Sequence, residues 1–243
     1  MRQIPNLLTL ANLFCGCAAV VATLNYRWSD AFWLFIAACV FDFGDGLAAR
    51  MLRVSSPVGK ELDSLADMVS FGFLPGAIFF VLLDFPHGTS TDELQMYFPA
   101  YLGFVFTLAA AYRLAKFNLD TRQSEEFIGL ATPAATGMAV GLLMWFDTEA
   151  YYIDLLHQAW FLLFVVGLLS FLMLSQLRFF AFKLKSLGWR GNEIRYTFAA
   201  VSIAGLIFFG KLAIAPLVGG YILLNLVLNI FRKRANSPPP TSE

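Results

Sequence analysis

Four aspartates crowd into one short stretch with apolar flanks, DFGDGLAARMLRVSSPVGKELDSLAD, which runs from Asp42 to Asp67. Asp42 and Asp45 stand three apart and Asp63 and Asp67 four apart, so each pair shares one face of a helix. The loop between the pairs, holding Pro57 and Gly59, is short enough to fold the two helices into an antiparallel hairpin that gathers all four carboxylates. A carboxylate in a membrane-spanning segment costs roughly 2.5–3.5 kcal/mol on insertion scales, so it is read as functional unless a partner neutralises it. Arg50 can compensate one of the four. The remaining charge calls for cations, and an all-oxygen set with no Cys or His in the stretch suits Mg²⁺ or Mn²⁺ rather than zinc. An arginine close to metal-binding carboxylates is what a phosphate needs, and Gly46 and Gly59 leave room for a flat or phosphorylated ligand near the backbone. Any single aspartate could be a salt-bridged residue at a helix end, but four in register argue against that for the set.

The elements that must hold these residues are membrane helices. The chain has 243 residues, 58% of them hydrophobic and only 14% charged, with a mean hydropathy of +0.67, outside the balance of a soluble domain. With 17 basic and 17 acidic residues there is no basic excess to favour a nucleic-acid partner. Apolar runs near 6–25, 30–50, 62–83, 96–116, 131–146, 156–174, 194–210 and 212–231 predict an all-α, polytopic membrane helix bundle of about eight transmembrane helices. Seven or six spans are the alternatives, since the fifth run is short and broken by Pro133 and only Lys211 separates the last two. Placing both termini in the cytoplasm puts fifteen of the 17 basic residues on that side and leaves Arg27 and Lys211 outside, as the positive-inside rule requires. Both aspartate pairs then lie at the cytoplasmic end.

Residues 1–234 are expected to form one membrane domain and residues 235–243, polar and proline-rich, a disordered tail. The first apolar run lacks a cleavage pattern and reads as a retained span. Cys15, Cys17 and Cys39 fall within apolar runs and are expected to pack as small hydrophobes.

The full spacing, Asp42-x2-Asp45-Gly46-x2-Ala49-Arg50-x8-Gly59-x3-Asp63-x3-Asp67, resembles the signature of the CDP-alcohol phosphatidyltransferase family without a departure. The resemblance implies a helical membrane enzyme that moves a phosphatidyl group from a CDP-lipid to an alcohol and releases CMP. It assigns Asp42, Asp45, Asp63 and Asp67 as ligands of two divalent ions and Asp67 also as general base, and it places Gly46, Ala49, Arg50 and Gly59 around the cytidine diphosphate. Such two-metal, base-assisted displacement needs no covalent intermediate.

Outside the signature, IPNLLTLANLFCG, ELDSLADMVSFGFLPG, RLAKFN and FIGLATPAATG are similar to blocks of the bacterial-type phosphatidylserine synthases. This implies CDP-diacylglycerol and L-serine as substrates, a bacterial inner membrane with the active site facing the cytoplasm, and a homodimer. A serine pocket needs a cation and an oxygen-rich partner near the metals. Arg113, Lys116 and Asn118 close the fourth span and offer such groups, with Arg113 and Lys116 spaced to share a face, or else they anchor the helix end at the interface. Ser70, in register with Asp63 and Asp67, is an acceptor contact or a cap on a helix carbonyl. Arg178 and Lys183 lie in an interfacial basic segment that can anchor to anionic lipid or bind the lipid diphosphate. Gly137-x3-Gly141 is a close-packing motif for a helix of the same bundle or of a second copy. Two alternatives stay open: the same transfer to glycerol 3-phosphate or an inositol phosphate, and a divalent-cation transporter lined by the aspartates. The apolar outer halves of the second and third spans, WLFIAACV and PGAIFFVLL, disfavour the transporter.

Overall fold

The computed structural model describes residues 3–54, 56–85, 97–119, 127–148, 158–179 and 192–235. The described chain is all-α apart from one two-residue strand pairing. Helix α1 (Ile4–Leu24) starts with Pro5 in its first turn, where a missing N–H removes no helical bond. It closes through Tyr26, in the left-handed region, with Arg27 N donating to Ala22 O at 2.9 Å, and turns into α2 (Trp28–Leu52). The end of α2 is again left-handed: Arg53 has φ 51°, and Val54 N donates to Ala49 O at 3.0 Å. Ser56 then caps α3 (Pro57–Asp67), its Oγ accepting from Gly59 N at 2.9 Å. Pro57 and Gly59 therefore open the third helix, rather than lying in the loop before it, because proline at the first helical position forfeits no hydrogen bond.

From Asp67 the rod continues as a π-helical segment, Met68–Phe73, and then as α4 (Leu74–Asp84). This rod is the most enclosed of the long helices and carries much of the core, with Phe71, Leu74, Ile78, Phe79, Leu82 and Leu83 all nearly inaccessible. A 3₁₀ turn (Phe98–Phe104) leads into α5 (Val105–Leu119), which runs antiparallel to the rod: Thr107 Oγ1 donates to Gly72 O at 2.9 Å and Asn118 Nδ2 to Ser64 Oγ at 2.8 Å. Strands β1 (Phe127–Ile128) and β2 (Arg178–Phe179) pair antiparallel and flank α6 (Thr132–Asp147) and α7 (Ala159–Leu174). Pro133, expected to break the fifth span, lies in the first turn of α6 and breaks nothing.

Among the described residues five helices are long and apolar enough to cross a membrane: Ile4–Leu24, Trp28–Leu52, Pro57–Asp84, Phe98–Leu119 and Glu193–Phe231, with Ala159–Leu174 a shorter apolar helix. The last of the five is not straight. It comprises α8 (Glu193–Phe209) and α9 (Ile214–Ala235), joined at Gly210 with φ +55°. A side chain at Gly205 would lie 3.6 Å from the Leu217 methyls, whereas a straight helix would separate those positions by about 18 Å. The two helices therefore double back. Phe14, Trp33, Leu108, Phe171, Ile207 and Phe208 point outward, an apolar shell that only lipid would tolerate.

Arg27 bonds Asp30 at 2.6 Å, and Lys211 bonds Asp147 at 2.9 Å while also reaching Ser29 Oγ at 3.2 Å. Both of the cations expected outside are thus gathered and neutralised at one end of the bundle. From Ser29 along α2 to Asp42 the helix rises about 20 Å, so the acidic cluster lies toward the other end.

Candidate active site

Helices α2 and α3 meet as the aspartate spacing requires. Carboxylate oxygens of Asp42, Asp63 and Asp67 lie within 4.8 Å of one another. Asp42 and Asp67 come within hydrogen-bonding reach, an approach that two ionised carboxylates cannot sustain without a cation or a shared proton. The fourth, Asp45, is outside this triad. It is 5% exposed, and Thr9 Oγ1 donates to its Oδ2 at 2.5 Å. It still acts electrostatically on both Asp42 and Asp63. Among the described residues no lysine or arginine forms an ion pair with any of the four. A concentrated, uncompensated, hard-oxygen donor set of this kind fits divalent ions such as Mg²⁺ or Mn²⁺.

Beside the cluster opens a cavity of about 930 Å³, with Asp45 and Asp63 on its wall. Of the residues expected around a cytidine diphosphate, Gly46, Ala49 and Gly59 line it. A side chain at Gly46 would point into open space, and one at Gly59 would press on the Ser56 cap at 2.9 Å. Arg50 does not line the cavity; its side chain is exposed, and Arg53 and Lys60 supply the cavity's positive charge. Arg53, seven residues after Gly46 and four after Ala49, falls on their face of α2, at the left-handed residue that ends the helix.

The acceptor candidates separate. Arg113 is 8% exposed and points inward, with Asp67 and the Tyr221 hydroxyl in electrostatic range. Lys116 is exposed, so the face expected to hold both residues is divided between core and interface. Asn118 ties α5 to α3, its Nδ2 on Ser64 Oγ and its carbonyl accepting from Lys60 Nζ at 3.1 Å. Ser70 is fully buried and donates to the Asn12 carbonyl at 3.0 Å, so its hydroxyl joins the rod to α1 rather than capping its own helix. Arg178 is exposed, while its backbone is held by Asn229 through bonds of 3.1 and 2.7 Å. Lys183 lies outside the described residues. Gly141 packs on α9, where an added Cβ would meet Ala215 N at 2.5 Å, and Gly137 faces Val218. The motif therefore serves packing within the bundle.

Sequence reasoning passed over the face of α1. Asn6 and Thr9 line the cavity, and Asn12 Nδ2 donates to Asp67 Oδ1 at 3.4 Å. The signal was present: three polar residues at three-residue spacing in an apolar helix.

The sequence profile of the CDP-alcohol phosphatidyltransferases matches residues 2–172, most of the chain and all of this site. The chain belongs to the CDP-alcohol phosphatidyltransferase family. It is therefore an integral membrane enzyme, and the transporter alternative falls away. It is 31% identical over 230 residues to the CDP-diacylglycerol–serine O-phosphatidyltransferase of Helicobacter pylori, covering 93% of this chain and 91% of that protein. The protein of the same name in Bacillus subtilis is 29% identical over 189 residues, or 75% of this chain and 93% of that protein. The one in Saccharomyces cerevisiae is 33% identical over 152 residues, covering 56% and 51%.

Proposed function

We propose that this enzyme transfers the phosphatidyl group of CDP-diacylglycerol to the hydroxyl of L-serine and releases CMP. The observation that carries the proposal is the convergence of Asp42, Asp63 and Asp67 within 4.8 Å beside a large cavity, and the names of the relatives support serine as acceptor. The four aspartates would hold two ions, Mg²⁺ or Mn²⁺. Bound there, such ions neutralise the diphosphate and stabilise departing CMP. The cavity receives the cytidine diphosphate against Gly46, Ala49 and Gly59, with Arg53 and Lys60 facing its phosphates. Asp67 takes the proton of the attacking hydroxyl as the new oxygen–phosphorus bond forms and the bond to CMP breaks, in one displacement. Arg113 is the cation on the acceptor side.

Helices α6 and α7 and the doubled-back α8 and α9, added to the four earlier rods, make eight crossings with both termini and the aspartates cytoplasmic, in a bacterial inner membrane. The 1–234 segment acts as one domain, the expected tail from residue 236 onward lying outside the described residues, and the enzyme pairs with a second copy through a face other than Gly137 and Gly141, which α9 already covers.

Purified protein supplied with CDP-diacylglycerol and a panel of labelled alcohols, with and without a chelator, tests the proposal. Metal-dependent incorporation of serine with equal release of CMP is expected. Incorporation of glycerol 3-phosphate but not serine would refute the acceptor assignment.

A further inference from the structure

Among the described residues four buried side-chain polar atoms have no hydrogen-bond partner: Asn12 Oδ1, Trp28 Nε1, Arg113 Nε and Ser170 Oγ. Trp28 opens α2 at the far end from the aspartates and Ser170 lies in α7. The other two flank Asp67. On one side, Asn12 is fully buried, its Nδ2 on Asp67 Oδ1 and its backbone carbonyl held by Ser70. A carboxylate accepts only, so the amide must turn its Nδ2 to Asp67 and leave Oδ1 as an unused acceptor. On the other side, the contacts Thr107–Gly72 and Asn118–Ser64 set the antiparallel register of α5 against the rod. Arg113 falls between them, level with Asp67, whose charge it feels. The cavity assigned to the nucleotide is lined by Asp45 and Asp63 but not by Asp67, Asn12 or Arg113. The pair therefore lies beside Asp67 and off the wall that faces the nucleotide.

A buried polar atom without a partner costs about 1–3 kcal/mol, and a built-in pair of opposite character beside a catalytic base is accounted for if substrate satisfies both. We infer that Asn12 Oδ1 and the Arg113 guanidinium form the acceptor subsite, with Asn12 accepting from the ammonium and Arg113 donating to the carboxylate of an α-amino acid whose hydroxyl faces Asp67. The inference rests on the proposed serine-transfer activity and adds to it the residue that reads the ammonium group. Three contacts on three substituents of one carbon also select the L enantiomer. Tyr221, from α9, lies in electrostatic range of Arg113 and packs on Phe179 and Phe198, holding the guanidinium side of the subsite.

The test is steady-state CMP release by the full-length enzyme with saturating CDP-diacylglycerol and Mg²⁺ or Mn²⁺. 3-Hydroxypropanoate, which lacks the ammonium, and ethanolamine, which lacks the carboxylate, serve as competitors of L-serine. In the parent enzyme each analogue binds at least about tenfold more weakly than serine, the scale of one hydrogen bond to a charged group. Asn12→Ala raises the KM for L-serine on the order of 10- to 100-fold, leaves the KM for CDP-diacylglycerol unchanged, and leaves the Ki of 3-hydroxypropanoate within about twofold of the parent value. Arg113→Ala gives the mirror result, sparing ethanolamine. An equal loss of affinity for serine and 3-hydroxypropanoate in Asn12→Ala would overturn the inference, since Asn12 would then act only through Asp67. Parent enzyme that binds 3-hydroxypropanoate as tightly as serine would overturn it too, whatever the variants do. Parent enzyme that transfers to another alcohol and ignores serine refutes the proposed function instead, a result easily told apart from these.

Discussion

Gly16 offers a test of whether the packing of α1 controls the chemistry. A Cβ at this position would overlap Ser70 Oγ and lie 2.9 Å from Ser70 Cα and 3.0 Å from its Cβ. Rotating the serine side chain removes the first overlap and leaves the others, because Cα belongs to the backbone of the rod. Restoring ordinary carbon contacts of about 3.5–4.0 Å in Gly16→Ala requires α1 and the rod to part by about 0.6–1 Å. That displacement breaks the Ser70–Asn12 bond, now 3.0 Å, and carries Asn12 Nδ2 out of reach of Asp67, already 3.4 Å away. Overpacking of this kind costs about 1–3 kcal/mol, and misplacing a reacting group by that distance lowers turnover on the order of 100-fold. The assay is CMP release beside a thermal melt in detergent. Ser70→Ala is the control: it removes one hydrogen bond, worth about 1 kcal/mol, without forcing the helices apart, and should lower stability slightly with little effect on kcat. Gly16→Ala enzyme with kcat within about twofold of the parent would refute the coupling between this contact and Asp67.

Asp67→Asn should reduce CMP release by roughly 10²- to 10⁴-fold with the melting temperature held or raised, because the carboxylate repulsion falls as the base is lost; a fully active variant would remove Asp67 from the proton transfer. Arg53→Ala should raise the KM for CDP-diacylglycerol by about tenfold or more while Arg50→Ala has the smaller effect, measured on the same preparation; the reverse order would show that the exposed Arg50 turns in to meet the nucleotide. On intact cells, a membrane-impermeant thiol reagent should modify Lys211→Cys and spare Lys60→Cys; labelling of both, or the opposite pattern, would rule out the proposed orientation.

Much of the site was legible because its spacing is local. Residues three or four apart on a helix share a face whatever surrounds them, so the four aspartates, with Gly46 and Gly59, announced an oxygen-rich site before any packing was known. The position of the apolar runs was equally local, and the rods at 4–24, 28–52, 57–84 and 98–119 follow them closely. What spacing could not give was the partner of each face. In a membrane the helices are apolar nearly all round, so hydrophobic periodicity does not mark which side meets a neighbour, and side-chain fit decides. Gly141 meeting Ala215, Ser70 meeting Asn12, and Arg113 turning inward while Lys116 turns out are outcomes of that fit. Arg53 shares the face of Gly46 and Ala49 by its spacing of seven and four residues, but that the cavity takes Arg53 and leaves Arg50 exposed was decided by how α2 packs.

The sequence by itself therefore determined that a carboxylate-rich site lies at one end of a membrane helix bundle, since both facts depend on neighbours along the chain. The tertiary structure alone decided that α1 and α5 close on Asp67 from two sides, because residues as far apart in sequence as Asn12 and Arg113 are brought to one carboxylate only by the packing of whole helices.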